Sequence, residues 1–91
     1  MKFYSVNPYN GEQVGEYQAL SDKELDQKLN KSGEAFKEWS QKPLSHRTGL
    51  ITKAGQILKE NLEEYAQMIT SEMGKPISES RAEVNKCAWV C

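Results

Sequence analysis

Hydrophobic and polar positions alternate along the chain in two different periods. Near the N-terminus, Phe3-Tyr4-Ser5-Val6 and Gln13-Val14-Gly15-Glu16-Tyr17 are β-prone runs on either side of Asn7-Pro8-Tyr9-Asn10-Gly11-Glu12. Asn10-Gly11 tolerates the positive φ of a turn and Pro8 donates nothing to a strand ladder, so the spacing predicts a hairpin over about 3–18 with a loop longer than two residues. From Ser21 onward the period becomes helical. Ser21-Asp22-Lys23-Glu24 has the form of a capping box, followed by Leu25, Leu29, Ala35, Phe36 and Trp39 at helical spacing. This predicts a first helix over about 22–40, stopped by Pro43, with Ser32 and Gly33 as a small-residue gap that lets another backbone approach.

Three further helices follow by the same reasoning. Leu50, Ile51, Ala54, Ile57 and Leu58 form the stripe of a second helix over about 45–60, with Ser45 as its expected N-cap and Asn61 as its break. Leu62, Tyr65, Ala66, Met68, Ile69 and Met73 form a third over about 62–73, closed by Gly74 and followed by Lys75-Pro76. Pro76 suits the first turn of a fourth over about 77–91, carrying Ile77, Ser80, Arg81, Val84, Cys87, Ala88 and Cys91. The expected fold class is α+β and mainly helical: one hairpin, then four helices. Trp89-Val90-Cys91 is apolar where a free helix end ordinarily frays into polar residues, so the chain is expected to end inside its fourth helix.

Composition narrows the picture. Leu, Ile, Val and Phe make up just under a fifth of the 91 residues, and the mean hydropathy is −0.76. A chain of this size buries only about 64% of its unfolded surface when it folds. The core is therefore expected to be thin. A net charge of −1 gives no electrostatic footprint for nucleic acid or an anionic membrane. No apolar run approaches the length of a membrane span, and the N-terminus has no apolar signal region. Reduced thiols in the cytoplasm fit the two cysteines, which are too few for a disulfide framework.

Candidate chemistry is sparse. His46, the single histidine, has no nucleophile or orienting group in reach of the sequence pattern and is expected to be solvated or cap-associated. Cys87 and Cys91 lack further ligands for a metal and are expected to pack as small hydrophobes. Glu60, Glu63, Glu64 and Glu72 read as a solvated acidic face. Asn30-Lys31-Ser32 matches a glycosylation triplet, but inside a cytoplasmic helix it carries no meaning, and no phosphate-cradling glycine loop is present. Neither a catalytic nor a cofactor-binding set emerges.

One stretch is specific. Glu72-Met73-Gly74-Lys75-Pro76-Ile77, followed by Arg81-Ala82-Glu83-Val84-Asn85-Lys86, resembles the N-terminal region of the aldehyde dehydrogenase superfamily, most closely its succinate-semialdehyde branch. Val6-Asn7-Pro8-Tyr9-Asn10-Gly11-Glu12 is similar to the family's opening Asn-Pro-x-x-Gly-Glu. Ala35-Phe36-Lys37-Glu38-Trp39 and His46-Arg47 resemble the end of its first helix and the start of its second. The resemblance runs through all 91 residues in order. It implies a piece of a larger α/β fold whose complete form uses NAD or NADP, acts on a small-molecule aldehyde and assembles as a homo-oligomer. It also implies that the catalytic Cys and Glu and the cofactor-binding residues lie downstream of this region, so the chain alone is expected to bind no cofactor and to be inactive. Through the resemblance, Glu83 and Cys87 are expected to border a substrate tunnel. Ser5, Val6 and Glu72 match positions that hold a monovalent cation in some relatives, with Glu72 standing where Asp is common. Two other readings are a stand-alone helical interaction module, self-associating through exposed apolar surface, and a gene remnant without function.

Overall fold

The computed structural model describes residues 1–91. The chain runs β1 (Lys2–Val6), β2 (Gln13–Gln18), α1 (Asp22–Gln41), α2 (Leu44–Glu60), α3 (Leu62–Met73) and α4 (Ile77–Val90). The hairpin followed by four helices is the fold class that the periodicity predicts. β1 and β2 pair antiparallel, from Lys2 opposite Gln18 to Val6 opposite Gln13, with an irregularity between Ser5 and Val6. Two side chains organise the intervening loop. Asn7 Oδ1 accepts from the Tyr9 amide at 2.9 Å and Asn10 Oδ1 from the Glu12 amide at 3.0 Å. Gly11, at φ 75°, closes the turn with its amide on the Asn7 carbonyl.

The capping box at Ser21 forms in both directions: the Ser21 hydroxyl oxygen accepts from the Glu24 amide and the Glu24 carboxylate accepts from the Ser21 amide. At α2 the start lies earlier than expected. Pro43, extended at φ −55° and ψ 148°, is the N-cap, and its carbonyl accepts from the amides of His46 and Arg47. Ser45 is thus already inside the first turn, and no side chain caps the helix. A proline can open a helix because the amide it lacks would have no intrahelical partner there. Asn61 separates α2 from α3, and Gly74 ends α3 in the left-handed region at φ 73°. α4 ends at Val90, one residue before the expected limit, with Cys91 as its C-cap.

α3 packs along α4, and α2 packs along α4 from the other side. The seams are made of small residues: Gly55 on α2, Ala66 on α3, and Ser80, Val84 and Ala88 on α4 are the only buried positions. A Cβ on Gly55 would lie 3.0 Å from the Ala88 carbonyl oxygen and 2.7 Å from Cys91 Cβ, so α2 and α4 meet nearly backbone to backbone. Ser80 is fully buried, and its hydroxyl is satisfied by Thr70 Oγ1 across the α3–α4 seam at 2.8 Å.

The larger apolar residues behave differently from the sequence expectation. Leu50, Ile51 and Ile57 on α2, and Leu25, Leu29, Phe36 and Trp39 on α1, remain exposed. Cys87 and Cys91 are exposed as well, which corrects the expectation that they pack as buried hydrophobes. No chain approaches Gly33 within 4 Å, so the small-residue gap in α1 has no backbone against it. One physical reason covers all of these differences. The molecule measures 47 × 36 × 14 Å. A helix with its side chains is about 10–12 Å across. The helices therefore lie in a single layer, and a stripe pointing out of that layer has nothing above it. α1 belongs to none of the extensively packed pairs of elements. Its end is tethered by Trp39, whose ring meets His46 edge-on at 6.3 Å.

Candidate functional site

Two polar clusters sit where the hairpin meets the α3–α4 corner. Glu72, in the last turn of α3, accepts from the Ser5 hydroxyl of β1 at 3.0 Å, across 67 residues of sequence. Beside this bond Pro8 lies over Gly74: a Cβ on Gly74 would sit 2.8 Å from Pro8 Cγ. The hairpin loop is thus seated on the one position of the corner that has no side chain and a positive φ. Ser5 and Glu72 come together through this hydrogen bond, and Val6 follows Ser5 immediately after the ladder irregularity. These positions offer hydroxyl, carboxylate and carbonyl oxygens, a donor set suited to a hard cation. They do not amount to a multivalent metal centre: nowhere do three His, Cys, Asp or Glu side chains gather.

The second cluster begins at the residue after Gly74. Lys75 forms an ion pair with Glu83 on the second turn of α4. Cys87 lies four residues beyond Glu83, hence on the same side of the helix. Both are exposed, so the two expected tunnel residues share one open face, with the Glu83 charge already matched by Lys75.

The acidic face on and around α3 is only partly a solvated surface. Glu60 and Glu64 are exposed, but Glu63 receives a two-pronged bond from Arg81, Nε to Oε1 at 2.7 Å and Nη2 to Oε2 at 3.1 Å. Fork-to-fork geometry of this kind aligns both partners and clips α4 to the start of α3. It holds the Glu63 carboxyl below the usual carboxylate range and raises the Arg81 guanidinium. Glu72 is committed to Ser5, as described above. Periodicity does not signal the Glu63–Arg81 pairing, whose partners stand 18 residues apart, and only the resemblance groups Ser5 with Glu72, 67 residues away.

His46 is exposed and faces only the edge of Trp39. Cys91 borders a shallow groove with Trp39, Arg47, Thr48, Ile51 and Val90, and the Arg47 Nε is bound to the Lys42 carbonyl at 3.1 Å. No histidine or carboxylate lines this groove to activate the thiol. A nucleophile with an oriented base is therefore not assembled from these side chains. No helix is long and apolar enough to cross a membrane.

A single helical layer, a docked hairpin and a Gly-Lys-Pro corner define the fold. Comparison with known proteins identifies which fold. The model of the aldehyde dehydrogenase family matches residues 1–91. The chain is 35% identical over 88 residues to the NADP(+) succinate-semialdehyde dehydrogenase of Deinococcus radiodurans, covering 97% of the chain and 18% of that protein. It is 38% identical over 91 residues to a probable NADP(+) succinate-semialdehyde dehydrogenase of Synechocystis, covering 100% of the chain and 20% of that protein. It is 37% identical over 87 residues to the NAD(P)+ succinate semialdehyde dehydrogenase Sad of Escherichia coli, covering 96% of the chain and 19% of that protein. The chain belongs to the aldehyde dehydrogenase family. It spans about a fifth of the length of these curated relatives.

Proposed function

We propose that these 91 residues form the N-terminal part of an NAD(P)-dependent aldehyde dehydrogenase that oxidises an aldehyde, with succinate semialdehyde as the substrate, to its carboxylic acid. The observation that carries the reading is the family match over residues 1–91 together with three relatives whose names all specify succinate semialdehyde. In such an enzyme the nicotinamide cofactor would supply the hydride acceptor, a cysteine thiolate the nucleophile toward the aldehyde, and an activated water the release of the acid. We assign the thiolate, the base and the cofactor-binding residues to parts of the fold other than this chain, which is inactive by itself. The reaction compartment is the cytoplasm.

The role of the 91 residues is then scaffolding. Their exposed stripes cover the rest of the enzyme fold, while the hairpin clamp and the Gly-Lys-Pro corner set the direction in which α4 leaves α3. Glu83 and Cys87 border the approach to the substrate tunnel. Ser5, Val6 and Glu72 hold a monovalent cation at the junction of hairpin and helix.

The test is a chimera. Residues 1–91 replace the matching segment of the Escherichia coli relative. A folded chimera that oxidises succinate semialdehyde with NAD(P) is the expected result. A chimera that melts cooperatively yet shows no turnover would overturn the assignment. In the same protein, a rise in Tm specific to sodium or potassium over choline chloride, abolished by Glu72→Gln, is expected for the cation site. Identical melting in all three salts removes the cation from the account.

A further inference from the structure

The chain holds five asparagines, and one of them is followed by glycine: Asn10-Gly11, in the exposed loop of the hairpin. That pairing has a chemistry of its own. The side-chain carbonyl carbon of an asparagine can close a five-membered ring with the backbone nitrogen of the next residue, and glycine puts no side chain in the way. Each of the other four asparagines fails a requirement of that ring closure. Asn7 precedes Pro8, which has no amide proton to lose. Asn30 and Asn85 lie inside α1 and α4, where the helical ladder holds the amide that would attack. Asn61 precedes the bulky Leu62 and ties its own Nδ2 to the Ile57 carbonyl at 2.9 Å.

The loop acts on the two reacting groups in opposite senses. Asn10 Oδ1 accepts from the Glu12 amide at 3.0 Å. A donor on this oxygen polarises Cγ and stabilises the negative charge that the oxygen gains when Cγ is attacked. The Gly11 amide, which is the nucleophile, donates instead to the Asn7 carbonyl at 2.8 Å, so its proton is held. Asn7 is half-buried, with its own amide on the Glu12 carbonyl at 2.8 Å, and it directly precedes Pro8, which is seated on Gly74. The electrophile is primed, the nucleophile is guarded, and the guard is anchored on the α3–α4 corner.

We propose that Asn10-Gly11 is a site of spontaneous succinimide and isoaspartate formation whose rate is set by release of the hairpin from the α3–α4 corner. Once the Asn7 carbonyl lets go, hydroxide takes the Gly11 amide proton and the nitrogen bonds to Asn10 Cγ. The Cγ–Nδ2 bond breaks, and ammonia leaves with a proton drawn from water. Water then opens the succinimide. Cleavage between Gly11 N and the Asn10 backbone carbonyl carbon leaves isoaspartate, and cleavage at Cγ leaves aspartate. Overall one water enters and one ammonia leaves, with no change of oxidation state. Isoaspartate carries an extra methylene in the backbone and a new carboxylate, so Gly11 no longer meets Asn7 and the loop loses its seat. The reacting atoms, the guard and its anchor all belong to the hairpin and the α3–α4 corner. This inference goes beyond the enzymatic reading and does not depend on it.

The test is incubation of the 91-residue chain at mildly alkaline pH, folded and in guanidinium chloride. Isoaspartate is counted by labelling with an isoaspartyl methyltransferase and located by peptide mass spectrometry. It is expected at Asn10 and at none of the other four asparagines, in a peptide ~1 Da heavier than the parent. The folded chain is expected to convert roughly tenfold more slowly than the unfolded one. Gly74→Ala, which drives a Cβ against Pro8, is expected to bring the folded chain most of the way to the unfolded rate. In guanidinium chloride, variant and parent are expected to convert alike. Should alanine at position 74 prevent folding, Ser5→Ala reads the same coupling, because it removes only the exposed bond to Glu72. It is expected to speed conversion about threefold. Folded conversion as fast as in denaturant overturns the guard, and a folded chain that yields no isoaspartate at Asn10 overturns the site. Aspartate without isoaspartate, the product of direct hydrolysis, overturns the succinimide route. Folded variants that convert at the parent's rate overturn the link to the corner.

Discussion

At the scale of single residues, long-range order rests on a few contacts that small or charged side chains make. Gly74 carries two constraints at once, a φ of 73° and Pro8 directly over its Cα. Any side chain there meets both the steric cost of the left-handed region and the proline ring. Gly74→Ala is expected to destabilise the fold by about 2 kcal/mol and to lower Tm by roughly 10 °C, as measured by thermal melting. The Glu63–Arg81 fork and the Ser21–Glu24 box govern the response to acid. The Arg81 side-chain bond lowers the Glu63 pKa, and the bonds from the Ser21 hydroxyl and amide lower that of Glu24. Both folded values lie below the unfolded ones. Their contribution is therefore complete above the unfolded value, about pH 4.3, and is lost as pH falls through the depressed folded values. Melting temperatures are expected to fall on acidification below that point. Glu63→Gln, which has no proton to take up, is expected to show a shallower fall; an unchanged acid profile would remove this pair from the account. These partners were illegible in the sequence for a simple reason: chain separation carries no information about which Glu meets which Arg. By contrast, the capping box and Gly74 were legible because their signals are local.

At the scale of elements, periodicity located the hairpin and all four helices, and the structure changed mainly how one of them begins. Pro43 opens α2 in place of Ser45 because the chain leaves α1 extended and turns at the proline itself. The apolar stripes were read correctly as stripes, yet an amphipathic pattern states only that a face prefers cover, not that cover is present. α1 shows the difference most clearly. It has a complete N-terminal cap and no packed neighbour along most of its length. Helices without tertiary support are marginal in water, so α1 opens with the lowest free energy in the molecule. Hydrogen exchange is expected to show its amides exchanging first and those of α3 and α4 last. Ser21→Ala is expected to speed exchange in α1 further, by about 1 kcal/mol of lost capping, without touching the α3–α4 seam. Equal protection in all four helices would contradict this order.

At the scale of the whole molecule, the radius of gyration is 17.2 Å. A compact domain of this length has about 12 Å. The thin core foreseen from the low aliphatic content is real, and the structure gives its form: one layer of helices, buried only along seams of Gly, Ala, Ser and Val. The candidate site was legible to the extent that local motifs mark it. The Gly-Lys-Pro corner and the Asn-Pro loop could be quoted from the sequence, but only the fold shows them pressed together through Pro8 on Gly74 and Ser5 on Glu72. The proposed role of this layer is that of a structural part that works only within a larger fold. The most direct test of that claim is the aldehyde dehydrogenase assay itself: the purified 91-residue chain with succinate semialdehyde and NAD or NADP, followed by reduced cofactor absorbance. The account predicts no oxidation above the buffer blank at any protein concentration, and turnover that rises in proportion to the chain would contradict it.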